Sequence, residues 1–88
     1  MHYTVYGIKE KLGDPSPGSN RTAYVICSPS PTEAALALGI NLVEFQSRLT
    51  KAAQASVDMA VSEPDVVFSV HYSDKITHRR LGVAPFKT

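Results

Sequence analysis

The clearest signal in the chain is the alternation of apolar and polar runs. His2-Tyr3-Thr4-Val5-Tyr6-Gly7-Ile8 is dense in β-branched and aromatic side chains and predicts a strand. Residues 11–22 follow with two prolines, two glycines and Asn20, a composition that predicts a long loop. Ala23-Tyr24-Val25-Ile26-Cys27 then resumes as a second strand, so the first two strands should form a hairpin. Its loop is longer than hairpin loops usually are, and is open either to disorder or to use in binding.

Helix signals follow. Ser30-Pro31-Thr32-Glu33 combines a hydroxyl cap, a proline where its missing N–H costs nothing, and a glutamate able to reach back to the cap. Ala34-Ala35-Leu36-Ala37-Leu38 extends this helix, and Gly39 supplies a left-handed stop. Asn41, with Glu44 three residues on, marks a second start. Leu42, Phe45, Leu49, Ala52, Ala53, Val57 and Ala60 fall on one helical stripe, which predicts a long second helix from about Leu42 to about Ala60. Pro64 ends it.

Val66-Val67-Phe68-Ser69-Val70-His71-Tyr72 is the strongest strand pattern in the chain, and Ile76 to Val83 provides its partner. A two-residue turn at Asp74-Lys75 would set Phe68 opposite Leu81, Val66 opposite Val83, and His71 opposite His78. The expected fold is α+β. It is a single small domain of order β-β-α-α-β-β, with an antiparallel sheet of about four strands and the long helix packed on one face.

The 88 residues allow one small domain, of marginal stability unless something assists it. A single cysteine, Cys27, excludes an internal disulfide and a cysteine-built zinc cluster. No apolar run is long enough to span a membrane, and the start shows no signal-peptide pattern, so a reducing, cytoplasmic setting is expected. The net charge is +1 but unevenly spread. Residues 28–66 carry two basic and five acidic side chains, whereas residues 75–88 carry Lys75, Arg79, Arg80 and Lys87 with no acid. An asymmetric polar surface of this kind suits recognition of a partner.

Catalytic patterns are missing. No nucleophile elbow, phosphate-cradling glycine loop, HExxH run or paired-carboxylate spacing occurs, and Cys27 sits in a buried-looking strand, so no enzyme activity is expected. A cross-strand pair of His71 and His78 would need further ligands to hold zinc. His2, Asp74 and Cys27 are the only additions on offer, and no metal or other cofactor is expected. Tyr3, Tyr24 and Phe68 are assigned to the core, not to base stacking.

Residues 34–51 carry a local resemblance. Ala34-Ala35, Leu36, Leu38, Gly39-Ile40-Asn41, Phe45 and Arg48-Leu49-Thr50-Lys51 resemble the helix-turn-helix of Fis-type DNA-binding proteins. This implies two packed helices, and a winged helix-turn-helix with Arg48, Lys51, Arg79 and Arg80 on DNA, with Lys75 joining them in the wing. Leu42, Val43 and Glu44 depart from that pattern, since they stand where such motifs place polar and basic residues. More broadly, the size and the Ser30–Ala34 helix start resemble small phage and mobile-element proteins, anti-CRISPR inhibitors among them. That likeness implies a cytoplasmic protein-binding or inhibitory module whose partner is another protein or a nucleoprotein complex. Its expected contact residues are Arg79, Arg80, Lys75, Tyr72 and Arg21, with a homodimer through a sheet edge as a further option.

Overall fold

Ser30 and Asn41 start helices by the same device. Ser30 Oγ accepts from the Glu33 N–H at 3.2 Å, and Asn41 Oδ1 accepts from the Glu44 N–H at 2.8 Å. In the computed structural model, which describes residues 2–10 and 22–86, these caps open α1 (Pro31–Leu38) and α2 (Leu42–Ser47). Gly39 separates them at φ 83°, the left-handed conformation that glycine adopts freely, and its N–H closes α1 on the Ala35 and Leu36 carbonyls.

The strands are β1 (Thr4–Lys9), β2 (Thr22–Ser28), β3 (Leu49–Thr50), β4 (Phe68–Tyr72) and β5 (Ile76–Arg80). They form one antiparallel sheet in the order β3-β1-β2-β4-β5. The α+β class and the β1–β2 and β4–β5 hairpins match the sequence pattern. Thr22, which the pattern puts at the end of the long loop, belongs to β2 and is buried. The rest of that loop, with Arg21, lies outside the described residues.

Two expectations are corrected. The first is the long second helix, which stops at Ser47. The chain then pairs as β3 and restarts as α3 (Gln54–Ser62). Tertiary bonds outcompete the helical stripe here. Gly7 and Ile8 of β1 pair with Thr50 and Leu49, the Lys9 N–H donates to the Arg48 carbonyl at 2.7 Å, and Thr22 Oγ1 donates to the Lys51 carbonyl at 2.9 Å. The restart has no side-chain cap at Ala53, so nothing local announces it. The sheet therefore has five strands instead of about four.

This break lets the chain pass around the edge of the sheet. Before it, Phe45 joins Ile8, Ile26, Ala34, Ala35, Leu38 and Val67 in a core beneath α1 and α2. After it, Ala60 joins Val25, Cys27, Phe68 and Val70 in a second core beneath α3, with Ala52 against its rim. Residues that the stripe places side by side thus serve opposite faces of one sheet, in three layers. Leu42 and Leu49, on the same predicted stripe, remain exposed.

Gly7 makes this edge crossing possible. A Cβ there would lie 2.6 Å from the Thr50 carbonyl oxygen and 3.2 Å from both Ala52 Cβ and Ala52 N, most of it backbone that cannot swing away. Gly7→Ala is expected to destabilise the fold by about 1–3 kcal/mol through this overlap. The measurement is a urea midpoint together with exchange of the Lys9 amide, which should lose protection as β3 is pushed off β1.

The second correction concerns the last hairpin. Phe68 pairs with Arg80, Val70 with His78 and His71 with Thr77, so the turn is Ser73-Asp74-Lys75 and the register differs by one residue from the predicted one. The Ser73 N–H and Oγ both donate to the Lys75 carbonyl, which suits the three-residue turn. A one-residue shift sends every β5 side chain to the other face.

Candidate functional site

The shifted register decides where each β5 side chain points. Ile76, His78 and Arg80 share the α3 side with Phe68, Val70 and Tyr72, while Thr77 and Arg79 share the opposite side with Ser69 and His71. The helices α1 and α2 cover the β1–β2 half of that opposite side, and Thr77, Arg79 and His71 remain exposed beside them. Arg79 forms no ion pair among the described residues. Arg80 reaches back to the C-cap of α3, where its Nε donates to Glu63 Oε1 at 3.2 Å, and both partners are exposed to water. A surface pair of this kind orients the arginine more than it stabilises the fold. Lys75 is exposed at the turn, and Tyr72 is half-buried at the rim of the α3 core.

His71 and His78 therefore do not meet. One faces water on the open side, and the other turns toward α3. This corrects the predicted cross-strand pairing, and no group of three or more His, Cys, Asp or Glu gathers at one place among the described residues. Instead His78 Nε2 lies 2.8 Å from Ser56 Oγ, a contact that the predicted register hid. Ser56 has no exposed surface, so its hydroxyl joins α3 to β5 and has no access to a substrate.

Arg48 occupies a structural position. Its guanidinium donates to the Lys9 carbonyl at 3.2 Å, to the Glu10 carbonyl, and to Glu44 Oε1 at 3.1 Å, and it lies 4.2 Å above the Phe86 ring. Only 11% of its side chain is exposed, which leaves little of it for a phosphate. Lys51 is exposed just beyond β3. At the start of α2, Leu42 and Val43 are exposed (Val43 by 74%), and Glu44 is spent on Arg48.

Burial, and then the Asp65 carboxylate, push the Cys27 thiol above its ordinary value of 9.0. Burial, and then Glu10, push the Tyr24 phenol up as well, against an opposing pull from Arg48. A group raised on folding adds stability that is complete below its unfolded value and is lost as pH climbs through the folded value. The part of the stability that these two groups supply should hold to about pH 9 and fall above it. Urea midpoints taken across that range should show the fall, and Cys27→Ala should flatten part of it. A disulfide reagent should label Cys27 only as fast as the native fold opens.

A cleft of about 300 Å³ adjoins the end of β5. Its walls include Ala37, Val67, Leu81 and Val83, with Asp65 and Arg80 also lining it. Asp65 stands at φ 69°, a left-handed conformation uncommon outside glycine, and its N–H donates to the Cys27 carbonyl at 2.7 Å. Among the described residues no helix is long and apolar enough to cross a membrane.

No family model, curated protein or solved structure matches this chain.

Proposed function

We propose that this chain is a small protein-binding module, inhibitory in action and of the phage or mobile-element kind, with an anti-CRISPR-like inhibitor as its concrete form and no chemistry of its own. The observation that carries this reading is the β4–β5 hairpin. It presents Lys75, Thr77 and Arg79 together as exposed residues, at the margin of a sheet whose two cores lie elsewhere. Arginine is favoured in interface anchors because its planar fork pairs carboxylates with two parallel hydrogen bonds. A cytoplasmic partner, either a protein or a nucleoprotein complex, fits this surface.

The alternative is a winged helix-turn-helix DNA binder. The tight Gly39 turn between α1 and α2 favours it. The internal use of Arg48 and the acidic, apolar start of α2 weigh against it. Affinity capture of the tagged full chain from its host lysate, with and without nuclease, separates the two. A stoichiometric protein that survives nuclease and moderate salt, and is lost on Arg79→Glu, is the expected result. DNA alone, released by nuclease, would sink the protein-binding reading.

A further inference from the structure

The antiparallel ladder determines which backbone groups β5 leaves open. The Leu81 N–H donates to the Val67 carbonyl at 2.9 Å, so Val67 and Leu81 are a hydrogen-bonded pair. By the alternation of such ladders, Ser69 with Arg79 and His71 with Thr77 are hydrogen-bonded pairs too. Ile76, His78 and Arg80 then turn their N–H and C=O groups away from β4. Among the described residues β5 is the outer strand of the sheet, so these groups face outward along its edge.

We infer that this edge binds an extended acidic segment of a partner protein by strand addition. This rests on the protein-binding reading and gives it a mode. Two features choose the occupant. The edge offers donors and acceptors in alternation at the repeat of a strand, which a polypeptide backbone matches and a row of phosphates, having acceptors only, does not. On the open side an added strand would lie beside Thr77 and Arg79, so its side chains there should be acidic.

A second copy of this chain fits less well. Pairing β5 with itself would bring two sets of Lys75, Arg79 and Arg80 together, and among the described residues the only acid paired with any of them is Glu63 on Arg80. Strand addition differs in this from a contact made by the arginines alone, because it depends on amides that no side-chain change removes.

The test is selection of random linear dodecapeptides displayed against the immobilised full chain. Amide exchange is then measured on the chain with and without the best selected peptide. Acidic residues at alternate positions should be enriched. In the free chain the Ile76, His78 and Arg80 amides should exchange fast while those of Thr77, Arg79 and Leu81 are protected, and the peptide should protect the first three. His78→Pro removes one outward N–H while leaving the inner ladder intact, and should weaken the peptide about tenfold. His78→Ala loses the same bond to Ser56 but keeps the N–H, and should bind as the parent does. Arg79→Glu should weaken binding at least as much as His78→Pro.

Should His78→Pro fail to fold, seen as lost protection at Arg79, the exchange pattern of the parent chain and Arg79→Glu carry the decision. Peptides without acidic bias, unchanged exchange at Ile76, His78 and Arg80, or displacement by a single-stranded oligonucleotide would overturn strand addition. So would a dimer in sedimentation equilibrium that Arg79→Glu strengthens. A nuclease-resistant protein partner whose capture ignores His78→Pro would overturn the mode and leave the protein-binding reading standing. Capture of DNA alone, released by nuclease, would overturn both.

Discussion

Phe45→Ala is expected to lower stability by about 3–5 kcal/mol, the usual cost of emptying a buried aromatic site. Phe45 has no exposed surface and is the largest fully buried side chain among the described residues. Its ring meets Tyr6 edge-on, with centroids 5.2 Å apart and planes at 70°. It is the contribution of α2 to the core under α1, so little remains to hold a six-residue helix once the ring is gone. A domain of 88 residues has roughly 4–13 kcal/mol to lose. Urea titration should therefore show the midpoint collapsing, with α2 amides exchanging at the rate of global unfolding. Phe45→Leu, which keeps most of the apolar volume, should recover a large share. A loss under about 1 kcal/mol for Phe45→Ala would mean that the two helices are not held by this core.

Arg48→Ala should be the next most damaging exchange, at about 2–4 kcal/mol. The substitution strips donors from the Lys9 and Glu10 carbonyls, leaves Glu44 without its cation, and removes the guanidinium from the Phe86 ring. Arg48 Nε, buried with no hydrogen-bond partner among the described residues, offsets part of that gain already in the parent. Arg48→Lys should not rescue, because a single ammonium cannot replace the planar fork. Arg79→Glu, on exposed surface, should stay within about 0.5 kcal/mol of the parent. Thermal melts of the three variants side by side check the contrast. The same pair separates the functional readings. Loss of nucleic-acid binding in Arg48→Ala together with a lowered melting temperature would trace to folding, whereas loss in Arg79→Glu at parental stability would trace to contact.

Much of the candidate site was legible as charge and little of it as geometry. Lys75, Arg79 and Arg80 stand in a stretch without acids, and that alone singled out the last hairpin as the expected contact surface. The helix-turn-helix resemblance put Arg48 on DNA, since an arginine in a sequence carries no mark of the carbonyls it will meet. The contact of Ser56 with His78 joins residues 22 positions apart and depends on a turn of three residues instead of two. Asp-Lys is a weak two-residue turn signal, and the apolar matches Phe68 with Leu81 and Val66 with Val83 supported the wrong register. The edge at β5 was invisible for a related reason, because strand order is a property of the whole sheet.

The local chemistry of the chain determined what short-range forces decide. Ser30, Pro31, Asn41 and Gly39 place the ends of α1 and the start of α2, since each acts on backbone within four residues. The β-branched runs determined β1, β2 and β4, and the α+β class follows from their order with the helices. Only the tertiary structure decided the fate of residues 48–53. A continuous apolar stripe is equally consistent with one long helix or with two pieces on opposite sides of a sheet, and the choice rests on bonds from Gly7, Lys9 and Thr22, some 29 residues or more away in the chain. It also decided which face each β5 side chain takes and which of its amides remain open. A strand's period of two makes both depend on one residue of register, and that register is set by the partner strand and not by the strand itself.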